Sequence, residues 1–529
     1  MIKAVRGTRD LLPPDTDLWN RVEAKVRDVF TRYNYHEIRT PIFEDTQLFS
    51  RSVGEETDIV SKEMFKWYDP DDPVLQLDRE WRLQHGNSYS DLQEFESGVS
   101  SFGYWGIKDN VPQMIRICYQ PSAAELAFMR QYRSGYLRDN PASPEPALVL
   151  AYPAFEQDKV NRFSLGDIRA ESVGMPQWFR RPQSLTLRPE NTAGVVRAYI
   201  EHGLDKKGTL QKLYYIGPQF RRERPQKGRY RQFFQIGAEI IGPPSAGSES
   251  PARDAEVLEM LATLLDEVGL SGWNLQLNSV GCAEDRARYN QALREALQPV
   301  VHLMCADCQR RAETNPLRVL DCKVPGDQPI IEKLPKIGDY LDEPCRQHFA
   351  AVRSMLDAVG VPYSINERMV RGLDYYTRTT FEFTHGGLGA QSAVLGGGRY
   401  DGLSESLEGP KAPGIGFAIG EDRLILALQT QGEQAAAKIN AFVAPLGNGM
   451  NLHALKLARE LRRDGISADL GEETFRLKKS FELAEKAGAK YIVIVGENEV
   501  AANQFAVKTL ATGEQVQVPR AELPQYLRK

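Results

Sequence analysis

The chain has 529 residues, with 66 basic against 71 acidic side chains and 42% hydrophobic residues. That length corresponds to roughly three or four folded units, and 26% charged residues with 9% aromatics exclude a disordered or fibrous chain. A net charge of −5 gives no global attraction to nucleic acid, so any such partner has to be held by local basic patches. Six cysteines do not make a secreted disulfide scaffold and point to a reducing cytoplasm. The first ten residues, Met1 to Asp10, contain no apolar signal-peptide core, and no apolar run approaches the ~18 residues of a membrane span. The expectation is a cytoplasmic protein with no membrane contact.

In chain order, Asp15 or Thr16 is positioned to cap a helix whose apolar residues Trp19, Val22, Val26, Val29, Phe30 and Tyr33 recur at helical spacing. His36 to Phe43 reads as a strand interrupted by Pro41, which suits a sheet edge or a strand end. Met64–Tyr68 and Ser184–Arg188 read as two arms of one hairpin. Between them, residues 70–183 carry aromatic clusters and proline-rich turns, which mark an inserted domain with no interpretable motif. Strands are expected near 211–220 and 231–241, with a helix near 192–203. Residues 282–360 read as a mainly helical second insertion (Ala283–Leu297, Cys345–Val359). Strand patterns return in 371–384 and 393–396, and a helix follows a glycine-rich turn at Gly414–Gly420. Gln429–Ala437 has the polarity of a linker. Beyond it, Ala441–Pro445, Ile466–Leu470 and the wholly apolar Tyr491–Val495 alternate with two helical stretches. One of these carries a stripe of Leu452, Leu455, Ala458 and Leu461. That alternation predicts a parallel sheet covered by helices. The expected division is therefore 1–69, 184–281 and 361–430 as one interrupted domain, 70–183 and 282–360 as insertions, and 438–529 as a terminal α/β unit.

The richest segment is Phe220-Arg-Arg-Glu-Arg-Pro-Gln-Lys-Gly-Arg-Tyr-Arg231, a basic turn between two strand patterns. Most charge runs are solvated hairpin tips. Here arginine outnumbers lysine five to one, and arginine has the planar fork that grips phosphate. In the strand that follows, Phe233, Gln235, Gly237 and Glu239 share one face, so two polar side chains project where a core would want apolar groups. Together these features suggest a pocket for a polar ligand beside a phosphate clamp.

This string resembles motif 2 of class II aminoacyl-tRNA synthetases, and in detail that of the histidyl-tRNA synthetase family. Arg6-Gly-Thr-Arg-Asp-Leu-Leu-Pro13 is similar to that family's N-terminal signature, and Leu187-Arg-Pro-Glu-Asn-Thr-Ala-Gly194 to its amino-acid-binding loop. Arg371-Gly-Leu-Asp-Tyr-Tyr-Thr-Arg378 matches the segment peculiar to histidyl enzymes. Gly414 to Leu424 resembles motif 3, and Pro41 sits where motif 1 carries its proline. The resemblance covers nearly everything except 70–183.

It implies an α+β fold: an antiparallel-sheet catalytic domain with insertions, plus a C-terminal α/β anticodon-binding domain, working as a homodimer. It also implies a histidine–tRNA ligase that uses ATP and Mg²⁺ on L-histidine and tRNA(His). By the resemblance, Arg221 and Arg371 are the catalytic cations at the α-phosphate. Arg423, with Glu223 and Phe233, completes the ATP site. Glu190 and Thr192, assisted by Gln235, hold the substrate ammonium group. Glu239 and Tyr376 (or Tyr375) read the imidazole, with Tyr400 as a further pocket residue. One departure is Asn191, where many members have glycine. The rival reading is the synthetase-like regulatory subunit of ATP phosphoribosyltransferase, which lacks the anticodon domain and tends to lose the catalytic arginine.

Three weaker signals remain. Gly396-Gly-Gly-Arg-Tyr-Asp-Gly402 reads as a turn between sheet and helix. Arg476-Leu-Lys-Lys-Ser480 reads as a surface helix start whose charge suits tRNA phosphates. Cys305-Ala-Asp-Cys308 with Cys322 offers three zinc ligands, with Cys282 or Cys345 as a fourth, but no second Cys-x-x-Cys or histidine pair accompanies them. Small buried thiols are the simpler reading, and the sequence assigns no residue to a metal.

Overall fold

The structure is a computed structural model describing residues 2–54, 57, 59–68, 184–226, 228–370, 373–389, 392–432 and 439–528. It also gives the backbone of three strands, Ser100–Lys108, Val111–Tyr119 and Leu148–Tyr152. The first helix, Asp15–Arg32, buries Leu18, Trp19, Val22, Val26, Val29 and Phe30 on one face. Full burial of a side chain such as Phe30 stabilises the fold by roughly 1.5–3 kcal/mol. The expected cap is absent. Pro14 occupies the N-cap and no side chain bonds there; Asp15 and Asp17 instead lie in the first turn, where their charge favours the helix dipole.

Chain order introduces β1 (His36–Glu37), β2 (Phe43–Asp45), β3 (Lys66–Tyr68), the insertion strands β4 (Ser100–Lys108), β5 (Val111–Tyr119) and β6 (Leu148–Tyr152), and then β7 (Ser184–Leu187). After these come β8 (Gln211–Phe220), β9 (Gln232–Ile241), β10 (Trp273–Ser279), β11 (Ser364–Ile365), β12 (Thr377–His385), β13 (Ala393–Arg399) and β14 (Gly414–Gly420). One eight-stranded sheet runs β1-β8-β9-β14-β13-β12-β10-β11. Its interior pairings are antiparallel, and the short edge strands β1 and β11 pair in parallel. Pro41 falls where the chain leaves this edge for a second sheet, β2-β7-β3. There Lys66 pairs with Thr186 and Tyr68 with Ser184, so residues 69–183 interrupt a hairpin.

Two glycine-rich stretches expected as turns are strands. Gly396–Gly398 lie within β13, and Gly414–Gly420 is β14. The glycines serve close approach rather than a tight turn: a Cβ at Gly416 would overlap the Glu239 carboxylate of the neighbouring strand. Helices Pro251–Glu267 and Glu343–Val359 bury Leu258, Leu261, Leu265, Val352 and Leu356 in the same core as Phe381, Phe383 and Phe417 of the sheet. The helical insertion has a core of its own around Tyr289, Leu293, Leu297, Cys308, Cys322 and Cys345.

The C-terminal unit is a five-stranded sheet, β16-β15-β17-β18-β19, with β15 (Ala441–Pro445), β16 (Ala468–Leu470), β17 (Tyr491–Val495), β18 (Gln504–Thr509) and β19 (Gln515–Pro519). The expected parallel order holds for β15, β16 and β17; β18 and β19 return antiparallel. The stripe on helix Met450–Arg463 is also shifted. Met450, Ala454, Leu457, Ala458 and Leu461 are buried, while Leu452 and Leu455 are 57% and 50% exposed. The true stripe follows an i, i+4, i+7, i+8, i+11 pattern, which the two outer leucines do not share.

A buried charge cluster fastens β13 to both packed helices. Asp254, 0% exposed, accepts hydrogen bonds from the Arg399 guanidinium and lies 2.7 Å from His348 Nε2. Burial alone would raise the Asp254 pKa, but Arg399 and His348 outweigh it and hold the carboxyl down at about 2. Removing one member leaves an uncompensated buried charge. Asp254→Ala is therefore expected to lower the unfolding free energy by roughly 3–5 kcal/mol in urea titrations. Arg51→Ala, which breaks the exposed pair with Glu408, is expected to change it by less than about 1 kcal/mol.

Candidate active site

The loop after β7 and the faces of β9, β13 and β14 converge on one polar region. Glu190 sits just before helix Thr192–Glu201. Its carboxylate accepts the backbone N–H groups of Thr192 (2.8 Å) and Ala193 (3.0 Å), satisfying two donors at the helix start. Burial raises its pKa, and those two N–H groups with nearby Arg221 partly offset the rise. The Thr192 hydroxyl donates to Glu239 Oε1 (2.7 Å), and the Tyr400 hydroxyl donates to Glu239 Oε2 (2.8 Å). Glu239 is 0% exposed, and burial pushes its pKa up to about 8 against the help of these two donors.

Aromatic rings wall this region. The Tyr375 ring lies 4.8 Å from that of Tyr376 and 6.0 Å, edge-on, from that of Tyr400. Gly237 pairs with Tyr215 across β8 and β9, and a Cβ at Gly237 would overlap the Tyr215 phenol. Among the described residues, the buried Tyr215 hydroxyl and Gln235 Oε1 meet no hydrogen-bond partner at bonding distance. Two such polar atoms beside a buried carboxyl are positioned to bond a polar ligand.

Next to it lies a cavity of about 660 Å³, lined by Arg221, Glu223, Arg229, Phe233, Gln235 and Arg423 among others. The Arg221 guanidinium is 5.2 Å from the Phe233 ring centroid, and its Nε donates to the Pro189 carbonyl (2.9 Å), one residue before Glu190. Arg423 Nε donates to the Ala393 carbonyl at 2.6 Å, and the side chain lines the cavity. Burial lowers the Arg423 pKa, and the neighbouring Arg229 charge adds to that shift. A cavity lined by four arginines, Arg221, Arg229, Arg311 and Arg423, is suited to a polyphosphate, since each guanidinium offers a rigid donor fork.

Of the residues expected from the sequence, Arg221, Glu223, Phe233, Gln235 and Arg423 share the cavity, and Glu190, Thr192, Glu239 and Tyr400 form a linked hydrogen-bonded chain. Tyr375 and Tyr376 join that chain through ring contacts. Arg371 and Gly372 lie outside the described residues. Several participants were not legible in the sequence. Arg188, 7% exposed, donates to the carbonyls of Thr40 and Pro218 and to the Thr40 hydroxyl, tying the Pro41 segment to the loop. Asn191 Oδ1 accepts the Thr40 hydroxyl at 2.6 Å. Asp422 accepts Arg9 (2.7 Å) and the Phe234 N–H (2.9 Å), while Arg9 stacks on Tyr230 at 4.3 Å. The N-terminal Arg-Gly-Thr-Arg-Asp segment thus braces the arginine hairpin from behind. Only its likeness to a family signature could have flagged it.

The Glu239 carboxyl stays protonated in the fold at pH values where the unfolded chain has released that proton. Its ionisation therefore opposes folding as pH rises from about 4.5 to about 8, by up to about 1.4 kcal/mol per pH unit. Glu421, buried and raised to about 9, contributes with the same sign. Thermal denaturation of the ligand-free chain is expected to lose stability from pH 5 to 8, with a visibly shallower slope in Glu239→Gln.

Residues 180–424 match the family model described as histidyl-tRNA synthetase, and residues 440–529 match the anticodon binding domain. Over 528 residues the chain is 62% identical to the histidine–tRNA ligase of Koribacter versatilis (strain Ellin345), covering 100% of this chain and 96% of that protein. Over the same length it is 49% identical to that of Solibacter usitatus (strain Ellin6076), covering 100% and 99%. The crystal structure of apo histidyl-tRNA synthetase from S. aureus superposes over the full length of both chains with a TM-score of 0.64 at 32% identity. With its sheet order, its arginine-lined cavity and these full-length likenesses, the chain belongs to the histidyl-tRNA synthetase family.

Proposed function

We propose that the chain activates L-histidine with ATP and transfers the histidyl group to the 3′ end of tRNA(His). The observation that carries this reading is the buried Glu239 carboxyl, held between Thr192 and Tyr400 and bordering a triphosphate-sized cavity with four arginines. A histidine carboxylate oxygen forms a bond to the α-phosphorus of ATP as the bond to the bridging oxygen breaks, and pyrophosphate leaves with that electron pair. The attacking carboxylate is already ionised at neutral pH, so no general base is needed. What remains is positioning and stabilising negative charge, the task to which arginines are suited. Afterwards the terminal tRNA hydroxyl attacks the activated carbonyl, and AMP departs.

In this reading Arg221, fixed between the Pro189 carbonyl and the Phe233 ring, contacts the α-phosphate and the substrate carboxylate. Arg371 acts on the opposite side, and Arg423 binds the outer phosphates. Glu190, Thr192 and Gln235 Oε1, which no described residue bonds, receive the ammonium group. Glu239, Tyr376, Tyr375 and Tyr400 select the imidazole: a ring without its nitrogens would leave buried polar groups unpaired. Glu223 and Glu382 also reach the cavity, and their hard oxygen donors are of the type that would hold Mg²⁺, which would neutralise the departing pyrophosphate.

The domain division proposed is catalytic for 1–69, 184–281 and 361–430, with residues 438–529 engaging the anticodon and the cationic helix start at Arg476–Lys479 available to tRNA phosphate. A homodimer is proposed through the Pro41 region. Ile42, Phe43 and Trp67 there are 47%, 54% and 37% exposed, large apolar groups that a partner subunit would cover. No helix among the described residues is long and apolar enough to cross a membrane, and the proposed reaction belongs in the cytoplasm with its tRNA. The regulatory-subunit reading is disfavoured, because the chain carries the anticodon-binding match at 440–529 and Arg371.

Purified protein is expected to catalyse histidine-dependent ATP–pyrophosphate exchange. In Arg371→Ala the adenylation rate should fall by roughly 10²–10³-fold, with histidine affinity nearly unchanged, because that charge matters as the transition state forms. A well-folded protein without exchange activity, or equal losses in rate and affinity, would reject the assignment.

A further inference from the structure

The helical insertion gathers a second set of reactive side chains, well separated in sequence from the residues assigned to histidine. Cys305 is the N-cap of helix Ala306–Thr314, Cys308 sits in its first turn, Cys322 ends the short 3₁₀ helix Pro316–Asp321, and Asp327 closes the next one. One ligand atom from each lies within 4.8 Å of every other. Cys305 Sγ and Cys322 Sγ are 3.9 Å apart, and Cys322 Sγ lies 3.2 Å from Asp327 Oδ2. In a tetrahedron with Zn–S near 2.3 Å and Zn–O near 2.0 Å, those edges measure about 3.8 Å and about 3.5 Å. Those two distances lie close to the tetrahedral edges, and the four donors are clustered tightly enough for one zinc ion to draw them together.

Burial supplies an independent argument. Cys308, Cys322 and Asp327 are 0%, 7% and 3% exposed, and among the described residues no cationic side chain pairs with Asp327. Among these residues the Asp327 carboxylate is met only by thiol and backbone N–H donors, and a bound cation would be a far stronger partner for its charge. Supporting donors are also in place. The Val324 N–H points at Cys322 Sγ (3.4 Å), and the Cys305 N–H donates to Asp327 Oδ1 (3.1 Å). The other thiol–carboxylate group, Cys282, Asp285, Asp342 and Cys345, is different. There Asp285 is paired with Arg288 and bonds the Cys282 N–H, and Asp342 caps the Cys345 N–H, so its charges are already met.

We propose that Cys305, Cys308, Cys322 and Asp327 form a structural zinc site. Binding displaces the thiol protons to solvent and closes the tetrahedron with four protein ligands, leaving no open position for catalysis. Its position suggests what it stabilises. Arg311 lies three residues beyond Cys308, Asp321 and Lys323 flank Cys322, and all three line the arginine-rich cavity. The ion would hold that wall in place; this last step rests on the nucleotide reading of the cavity, whereas the metal site itself does not.

The test is metal content by plasma mass spectrometry of full-length protein made in zinc-supplemented medium. About one zinc ion per chain is expected, lost in Cys308→Ser and Cys322→Ser and retained in Cys282→Ser and Cys345→Ser. Because the buried variants could unfold, the half-exposed Cys305→Ser and the isosteric Asp327→Asn provide the folded controls, checked by circular dichroism. With Co²⁺ as probe, the parent chain should show the visible bands of a tetrahedral thiolate site, and both controls should weaken or shift them. A folded parent chain without zinc and without cobalt bands, a Cys305–Cys322 disulfide in its place, or metal lost on changing Cys282 would overturn the proposal. If the site holds zinc while ATP binding is unchanged in Cys305→Ser, only its link to the cavity wall fails.

Discussion

The burial of one carboxyl group organises the site. Glu239 lies at the centre of the large sheet, where a strand face would ordinarily carry apolar side chains, and it is kept there by two hydroxyl donors and by the missing side chain at Gly416. Desolvating a carboxyl without partners costs several kcal/mol, so its position is tolerable only while Thr192 and Tyr400 remain aimed at it. The rest of the local structure answers that requirement. Glu190 caps the helix that carries Thr192, Arg188 fixes the preceding loop to the Pro41 segment, and Arg399 ties the strand leading to Tyr400 to Asp254.

A second constraint acts a few residues away. Four arginines line one cavity, and their mutual repulsion has to be offset without neutralising all of them. The structure does this with backbone carbonyls, an aromatic face and one carboxylate. Arg221 uses the Pro189 carbonyl and Phe233, Arg423 the Ala393 carbonyl, and Arg229 pairs with Glu223 at 2.7 Å. Carbonyl partners orient a guanidinium while leaving its full charge available to phosphate. The N-terminal segment contributes from outside the cavity: Arg9 engages Asp422, whose other oxygen holds the Phe234 N–H beside the arginine hairpin.

Much of this architecture is legible in the sequence because it follows from local periodicity. The first helix, the β8–β9 hairpin and the interrupted β3–β7 pair all fall where spacing of apolar residues and turn chemistry place them. Gln235 and Glu239 stood out because they are polar on an alternating strand face. The misreadings share a cause. Gly396–Gly398 and Gly414–Gly420 were expected as turns because glycine's usual signal is conformational freedom, whereas here it provides room for side chains of distant strands. Likewise the Asp254–His348–Arg399 cluster and the joining of Asp327 to three cysteines depend on contacts between remote segments, to which no local pattern points. Leu452 and Leu455 misled because a helical stripe of leucines reads the same from either face until a neighbour is present.

Calorimetric titration of L-histidine against a ring analogue of equal size that lacks both nitrogens tests the central claim most directly. If the Glu239 carboxyl and its hydroxyl partners read the imidazole, histidine should bind tighter by about 10⁴-fold, and Glu239→Gln should erase most of that preference while leaving the analogue's affinity nearly unchanged. A preference that survives intact in Glu239→Gln would contradict the account, because recognition of the ring would then lie elsewhere in the pocket.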